Sequence, residues 1–592
     1  MNLETRQCQN CHNDFVIEPD DFDFYKKIDV PAPTWCLDCR MQRRFSFRNE
    51  RHLYKRKEAL GGKEIISIYS PDKLLKVYSH KDWWSDKWNP DDYKKEIDFS
   101  KPFFGQFKEL LFEFPWAALF NTNSVNSDYC NYTTDNKDCY LVFGGDFNEN
   151  CCYSTFNFHS KDTADVYWVE RCQLCYETTD SKNCYRVFFS KYARDCNNSM
   201  FLFYCSGCSN CVGCVGLRNK SYCIFNQQYT KEEYEKKMGE LGLNSRSGIQ
   251  EFKRKMSNFV LKFPHRYAQI IKSVNSSGDN IVEGKNCKRC FEITGPAEDL
   301  KDIFLGGLNG RDLSSCDHLG HGVELAYDSW AAFGGSSNIA FSLWTRTCHN
   351  IRYSYALTDC SDCFGCVGLR NKQYRILNKQ YAKNEYEALV PKIIQHMNDV
   401  PYLDSGGRIY RYGEFFPAEF SPFAYNETIA QEYFPLNKKD CLEKGYQWKD
   451  LETKNYQATI NPEELPDKIE DVSDDILNQI VGCAHKGECD EQCTTAFKIT
   501  SQELQFYRQM NLPLPVFCPN CRHYQRMKQR NPIKLWHRKC QCAGKQSENG
   551  VYTNTIQHQH GDSPCSDEFE TSYSPERPEI VYCEQCYNTE VA

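Results

Sequence analysis

Cysteine recurs at twelve-residue intervals along the middle of this chain, and that period constrains the fold more than any other feature. Cys139 and Cys151 form one such pair, Cys172, Cys184, Cys196 and Cys208 an unbroken run, and Cys348 and Cys360 another pair. The units tend to open with Asn or Asp beside Cys and to continue into an aromatic or β-branched stretch, as in KDCYLVF, KNCYRVFF and RDCNNSMFLFY. Such a unit reads as a polar turn followed by a short strand. One unit cannot bury a face alone. Successive units must therefore stack, which predicts a β-solenoid with equivalent cysteines in an interior ladder.

A longer repeat lies over the first. CVGLRNKSYCIFNQQYTKEEYE (Cys214 to Glu235) returns as CVGLRNKQYRILNKQYAKNEYE (Cys366 to Glu387), an offset of 152 residues that also carries Cys208, Cys211 and Cys214 onto Cys360, Cys363 and Cys366. Duplication predicts two solenoid lobes, 126–230 and 273–381. Each ends in a charged, helix-favouring run suited to capping an open stack, with a helical cap and connector at 231–272. The Trp- and Phe-rich segment 59–125 is expected to be partly helical and to dock the N-terminal module on the first lobe. Segment 382–480 reads as a helix followed by an acidic linker around Glu463 to Asp475.

Paired cysteine knuckles flank the lobes. Cys8-x2-Cys11 with Cys36-x2-Cys39 (1–58) is zinc-ribbon spacing, because two thiolates on each of two tight turns complete a tetrahedron. Cys489-x3-Cys493 with Cys518-x2-Cys521 (481–539) repeats it: Cys11 to Cys36 and Cys493 to Cys518 are equally spaced, and Phe15 and Ile17 correspond to Phe497 and Ile499. A third module (540–592) pairs Cys540-x-Cys542 with Cys583-x2-Cys586 across an insertion containing His558, His560 and Cys565. The expected architecture is multidomain and mainly β: two β-solenoid-like lobes with helical caps, flanked by N- and C-terminal ribbons that hold two or three structural zinc ions. The opening MNLETRQCQNCHNDF has no apolar leader, and no run of 18 apolar residues follows. The 35 cysteines are thus expected in a reducing, cytoplasmic setting, where they bind metal or pack.

A net charge of -8 excludes a protein that coats nucleic acid with its whole surface. Two local runs oppose that balance, CRMQRRFSFRNERHLYKRK after the first ribbon and CRHYQRMKQRNPIKLWHRK after the second. Arg40, Arg43, Arg44, Arg48 and Arg51, and Arg522, Arg526, Lys528 and Arg530, could grip phosphate while neighbouring aromatics stack on bases, which suits RNA or the ribosome. The competing reading is a solvated helix face, or arginines paired with acids of the same protein. Cys205, Cys208, Cys211 and Cys214, like Cys287 and Cys290, suit either packing or a further metal. The twice-present GLRNK (Gly216 to Lys220, Gly368 to Lys372) suits a capping turn or an anion seat. Walker loops, GxSxG, HExxH and GxGxxG are missing from the sequence. An interaction protein is therefore expected, with an enzyme working in a solenoid groove as the alternative and thiol-based redox or metal buffering as a third.

CxxC followed by FxI, then PxPxxCxxCRxQRRxxxRNER, CxxCxxCxGLRNKxY and the ending SPERPEIVYCEQCYN together resemble a family of cysteine-rich zinc-ribbon proteins. That family is known mainly from genomes of uncultivated, ultrasmall candidate-phyla bacteria. The resemblance spans almost the whole chain and brings no established activity. It implies zinc at Cys8, Cys11, Cys36, Cys39, Cys518 and Cys521, whereas Cys489-x3-Cys493 departs by one residue and leaves Cys483 as a substitute.

Overall fold

In the first lobe the backbone turns at every third residue. Asn183, Arg186, Phe189, Tyr192, Asp195, Asn198, Phe201 and Tyr204 all adopt left-handed conformations, with φ between 47° and 55°. Four three-residue sides close one coil, and coils stack in parallel at twelve-residue offsets, with Tyr185 beside Asn197 and Asn197 beside Ser209. The residue after each turn points inward: Cys184, Val187, Ser190, Ala193, Cys196, Ser199, Leu202, Cys205, Cys208, Cys211 and Cys214 are all buried. A shaft walled by three-residue sides is narrow, so small side chains dominate it. The computed structural model describes residues 3–450 and 457–591.

This geometry explains the cysteines. Cys184 Sγ donates to the carbonyls of Lys182 and Ala193 at 3.4 and 3.5 Å, and Ser190 Oγ donates to Phe188 O at 2.8 Å. Cysteine here is a compact apolar filler with a weak donor, interchangeable with serine, and all 35 thiols are free. Cys196→Ser is accordingly expected to change the unfolding free energy read from urea titration by less than about 1 kcal/mol, whereas Cys196→Leu overfills the shaft and costs about 1–3 kcal/mol; equal effects would show that the shaft is not tightly filled. Left-handed turns cost roughly 1–2 kcal/mol per L-residue, least for Asn and Asp. Side-chain ladders offset part of that cost, with Asn126 bonded to Asp138 and Asn183 to Asp195 at 2.9 Å, and Tyr192 stacked on Tyr204 with ring centres 4.5 Å apart.

The second lobe runs from Ile270 to Gln380. Its first coils hold eleven and twelve residues, pairing Ile270 with Ile281 and Gly278 with Cys290; the next hold thirteen, pairing Phe291 with Phe304 and Leu313 with Ala326, and later ones return to twelve, pairing Ile339 with Ile351 and Ile351 with Cys363. In the thirteen-residue coils the inward positions stacked on Cys287 are Leu300, Leu313, Ala326 and Ile339, so the twelve-residue cysteine period lapses there. Helices Lys231–Glu240 and Arg246–Val260 follow lobe 1, and Lys383–Asp399 follows lobe 2. Among the described residues no helix is long and apolar enough to cross a membrane.

Two expectations about the connecting segments are corrected. The aromatic segment meets lobe 1, where Phe120 stacks on Tyr132, but docks on lobe 2 as well: Phe103, in helix Phe103–Glu113, packs against Phe364 with ring centres 5.1 Å apart, and the Lys95 N–H donates to Leu377 O. Phe114 covers Gly368, where even a Cβ would collide. Much of the expected linker is interior, since Tyr410, Phe415, Phe416, Phe420 and Tyr425 are buried. Its acidic stretch is pinned to the helical cap, with Arg246 bonded to the Leu465 and Pro466 carbonyls and Ser247 to Asp467. Residues 451–456 of that linker lie outside the described residues. Both GLRNK turns seat other parts of this chain. Arg218 donates to Val591 O at 2.8 Å, while Arg370 lies over Trp84 and Lys372 pairs with Asp91.

Candidate metal centres

Three knuckle pairs bring four sulfurs together each. In the first module the strands Glu4–Gln7 and Asp14–Ile17 pair as a hairpin that presents Cys8 and Cys11, and Cys36 caps the N-terminus of helix Leu37–Phe45. Cys36 N–H donates to Cys8 Sγ at 3.2 Å, and Cys11 and Cys36 Sγ lie 3.7 Å apart. Metal–sulfur bonds near 2.3 Å in a tetrahedron put sulfurs about 3.8 Å apart. The cage already has that size.

In the second module the cage is Cys483, Cys493, Cys518 and Cys521, with sulfur separations of 3.8, 4.0 and 3.5 Å for 483–521, 493–518 and 518–521. Cys489 is displaced from the expected set. The short strand Val481–Gly482, paired with Ala496–Phe497, delivers Cys483 where Cys8 stands in the first module, and Cys518 N–H donates to it at 3.3 Å. Cys489 turns instead toward His485, Glu491 and Cys521. In the third module Cys540, Cys565, Cys583 and Cys586 converge, and Cys583 N–H donates to Cys540 Sγ at 3.2 Å. Cys542, expected as a ligand there, is replaced by Cys565 from the insertion.

Within each cage the close sulfurs lower one thiol and raise another. Hydrogen bonding with Cys36 draws Cys8 well below the usual thiol range while Cys36 is pushed far above it by Cys39 and Cys8. Cys483 likewise lowers Cys518 and raises Cys521. Cys583 and Cys586 bring Cys540 down to about 5, and Cys540 pushes Cys586 up. Four thiolates this close cannot all ionise without a cation among them.

The basic residues that follow the knuckles are not free. Arg43 and Arg44 are 0% exposed. Arg44 pairs with Asp317 and Asp328; Arg43 lies over Trp35 at 4.2 Å and bonds Glu414 at 3.4 Å; Arg40 donates to Tyr327 Oη. Arg48 pairs with Glu50 and covers Tyr132, and Arg51 covers Phe143. After the second ribbon, Arg522 and Arg526 both pair with Asp165, the latter at 2.6 Å, and Arg530 joins Asp180 of lobe 1 to Glu292 of lobe 2. Lys528 alone of this set is largely exposed, and it pairs with Glu491. The guanidinium groups of Arg40, Arg43, Arg44, Arg48, Arg522 and Arg526 are thus turned into the chain's own interior.

These ion pairs were legible only as a joint pattern. The ribbon offset of 482 (Cys36 to Cys518) carries Arg40 and Arg44 onto Arg522 and Arg526, and the lobe offset of 152 carries Asp165 onto Asp317. The same clasp therefore occurs twice and is crossed: the N-terminal ribbon grips lobe 2, and the second ribbon grips lobe 1. A cavity of ≈ 190 Å³ remains under the first ribbon, lined in part by Glu18, Asp21, Arg40, Arg289 and Asp302. Its charges already face partners, Arg289 with Asp302 and Asp21 with Lys301, both at 2.6 Å. No protein-family model matches the chain, and no curated protein is detectably similar to it.

Proposed function

We propose that this protein is a zinc-stapled scaffold that performs no reaction of its own and offers the outer faces of its two solenoid lobes to a protein partner in the cytoplasm. The observation that carries this reading is the inward turn of both arginine runs onto Asp165, Asp317 and Asp328. The ribbons thereby act on their own chain. Zinc suits the cages because four soft thiolates in a tetrahedral arrangement favour it, and full cysteine ligation leaves no position for a reactive water. The coil edges support a protein partner over RNA, since charge alternates along them, as in Lys137–Glu149–Lys161 and Glu170–Lys182. The cavity under the first ribbon gives a groove enzyme little support, because its acids and bases neutralise one another.

Elemental analysis of purified protein is expected to give at least one zinc per ribbon module. Fluorescence anisotropy with single-stranded RNA is expected to show no binding that weakens steeply with salt. Absence of zinc, or tight salt-sensitive RNA binding, would overturn the reading.

A further inference from the structure

The C-terminal module carries more ligands than one tetrahedron can use. Beside the cage of Cys540, Cys565, Cys583 and Cys586, the donor atoms of Cys542, His558, His560 and Cys586 also lie within 4.8 Å of one another. Cys542 Sγ is 3.2 Å from His558 Nδ1, and Cys586 Sγ is 3.3 Å from His560 Nε2. Cys586 belongs to both sets.

The outer nitrogen of each ring is held by a group that can only accept. His558 Nε2 donates to Glu590 Oε1 at 2.9 Å, and His560 Nδ1 donates to Ser563 O at 2.6 Å. The hydrogens therefore sit on the outside, and each inner nitrogen turns a lone pair toward a sulfur, as in metal-bound histidines oriented by an outer carboxylate or carbonyl. Glu590 is itself fixed by Tyr552 Oη at 2.8 Å and Thr555 N at 3.0 Å, and the side chains of His558 and Glu590 are 1% exposed. Asn554 donates to Cys542 Sγ at 3.1 Å, which favours the thiolate.

The preceding module repeats the pattern. Cys483-x-His485 stands where Cys540-x-Cys542 does, Cys489-x-Glu491 where His558-x-His560 does, and His485, Cys489, Glu491 and Cys521 also converge on the last cysteine of the knuckle. The first ribbon differs. Two residues past Cys8 stands Asn10, which donates to Cys39 Sγ at 3.2 Å, so an amide hydrogen meets the sulfur on the side where the third module places its histidines.

We propose that the C-terminal module holds two zinc-class ions joined through the Cys586 thiolate, one on Cys540, Cys565, Cys583 and Cys586 and the other on Cys542, His558, His560 and Cys586. The proposal rests on the reading of the four-sulfur cages as zinc sites. A thiolate sulfur has lone pairs for both ions, and the bridge spreads its charge over two cations.

Native mass spectrometry of the zinc-loaded full chain tests the count. His558→Ala with His560→Ala is expected to lose one zinc per chain, Cys565→Ser to lose the other, and Cys586→Ser to lose two. Equal zinc in wild type and the double histidine variant would overturn the second site. Cobalt substitution tests the bridge without relying on any variant's folding: two cobalt ions sharing a thiolate couple magnetically, so the paramagnetic signal of the cobalt-loaded chain is expected to fall short of its cobalt content by about two ions, and a spin count equal to the cobalt content would overturn the bridge. If Cys565→Ser and Cys586→Ser both leave the wild-type zinc count unchanged, the four-sulfur reading of this module fails, and the proposal falls with it.

Discussion

Stripping metal from the intact chain is expected to free both ribbons while the coils stay folded. Each of the first two ribbons is a hairpin or short strand pair with two helices, and metal contributes on the order of 10 kcal/mol or more per site to folding such a module. The lobes draw stability from parallel ladders and a filled shaft that contains no metal cage. Hydrogen exchange read by mass spectrometry, with and without a strong chelator, separates the two. Amides in 37–45 and 519–528 are expected to lose protection by at least about a thousandfold, as for a unit that opens independently, while the strands between Tyr185 and Ile224 change by less than about tenfold. Simultaneous loss in coils and ribbons would show that the shaft depends on the metal, and unchanged ribbon protection would remove the staple altogether.

Asp165→Ala is expected to destabilise the chain by about 3–5 kcal/mol, because it strands the buried guanidinium of Arg526 without its counter-charge and leaves that of Arg522 with Glu503 alone. Asp317→Ala should cost less, because Arg44 keeps Asp328 as its counter-charge. Breaking the exposed pair Lys55–Glu64, whose side chains are more than half exposed, is expected to change stability by less than about 1 kcal/mol. Replacing both sides of the buried pair, as Asp165→Leu with Arg526→Met, should recover part of the loss, since the penalty lies in the unpaired charge more than in the missing attraction. Urea unfolding provides the comparison. A loss below about 1 kcal/mol for Asp165→Ala would show that the clasp is not what seats the second ribbon.

The sequence made the repetition plain and its cause obscure. Twelve-residue spacing and the 152-residue duplication are visible because they recur in one chain, and the lobes follow. The three-residue unit beneath them went unread because its inward positions alternate among Cys, Ser, Val, Ala and Thr, which share size but not polarity. Ligand choice failed where loop length departed from habit: Cys483 lies ten residues before Cys493, and Cys565 sits alone in an insertion, so neither forms a knuckle in the sequence. The arginine runs misled for a different reason. Local charge density says nothing about what stands opposite after folding, and Asp165 and Asp317 lie far away along the chain. Mapping the ribbon and lobe offsets onto each other would have paired them.

The crossed clasp also sets an order of assembly. Arg44 is synthesised 273 residues before Asp317, whereas Arg526 follows Asp165 by 361. At roughly 5–20 residues per second, the first ribbon waits on the order of tens of seconds with its guanidinium groups in water, while the second emerges to find its seat already built. The segment translated first thus cannot lock until the farther lobe exists, and a nascent chain halted before residue 317 would leave that ribbon's seat unmade.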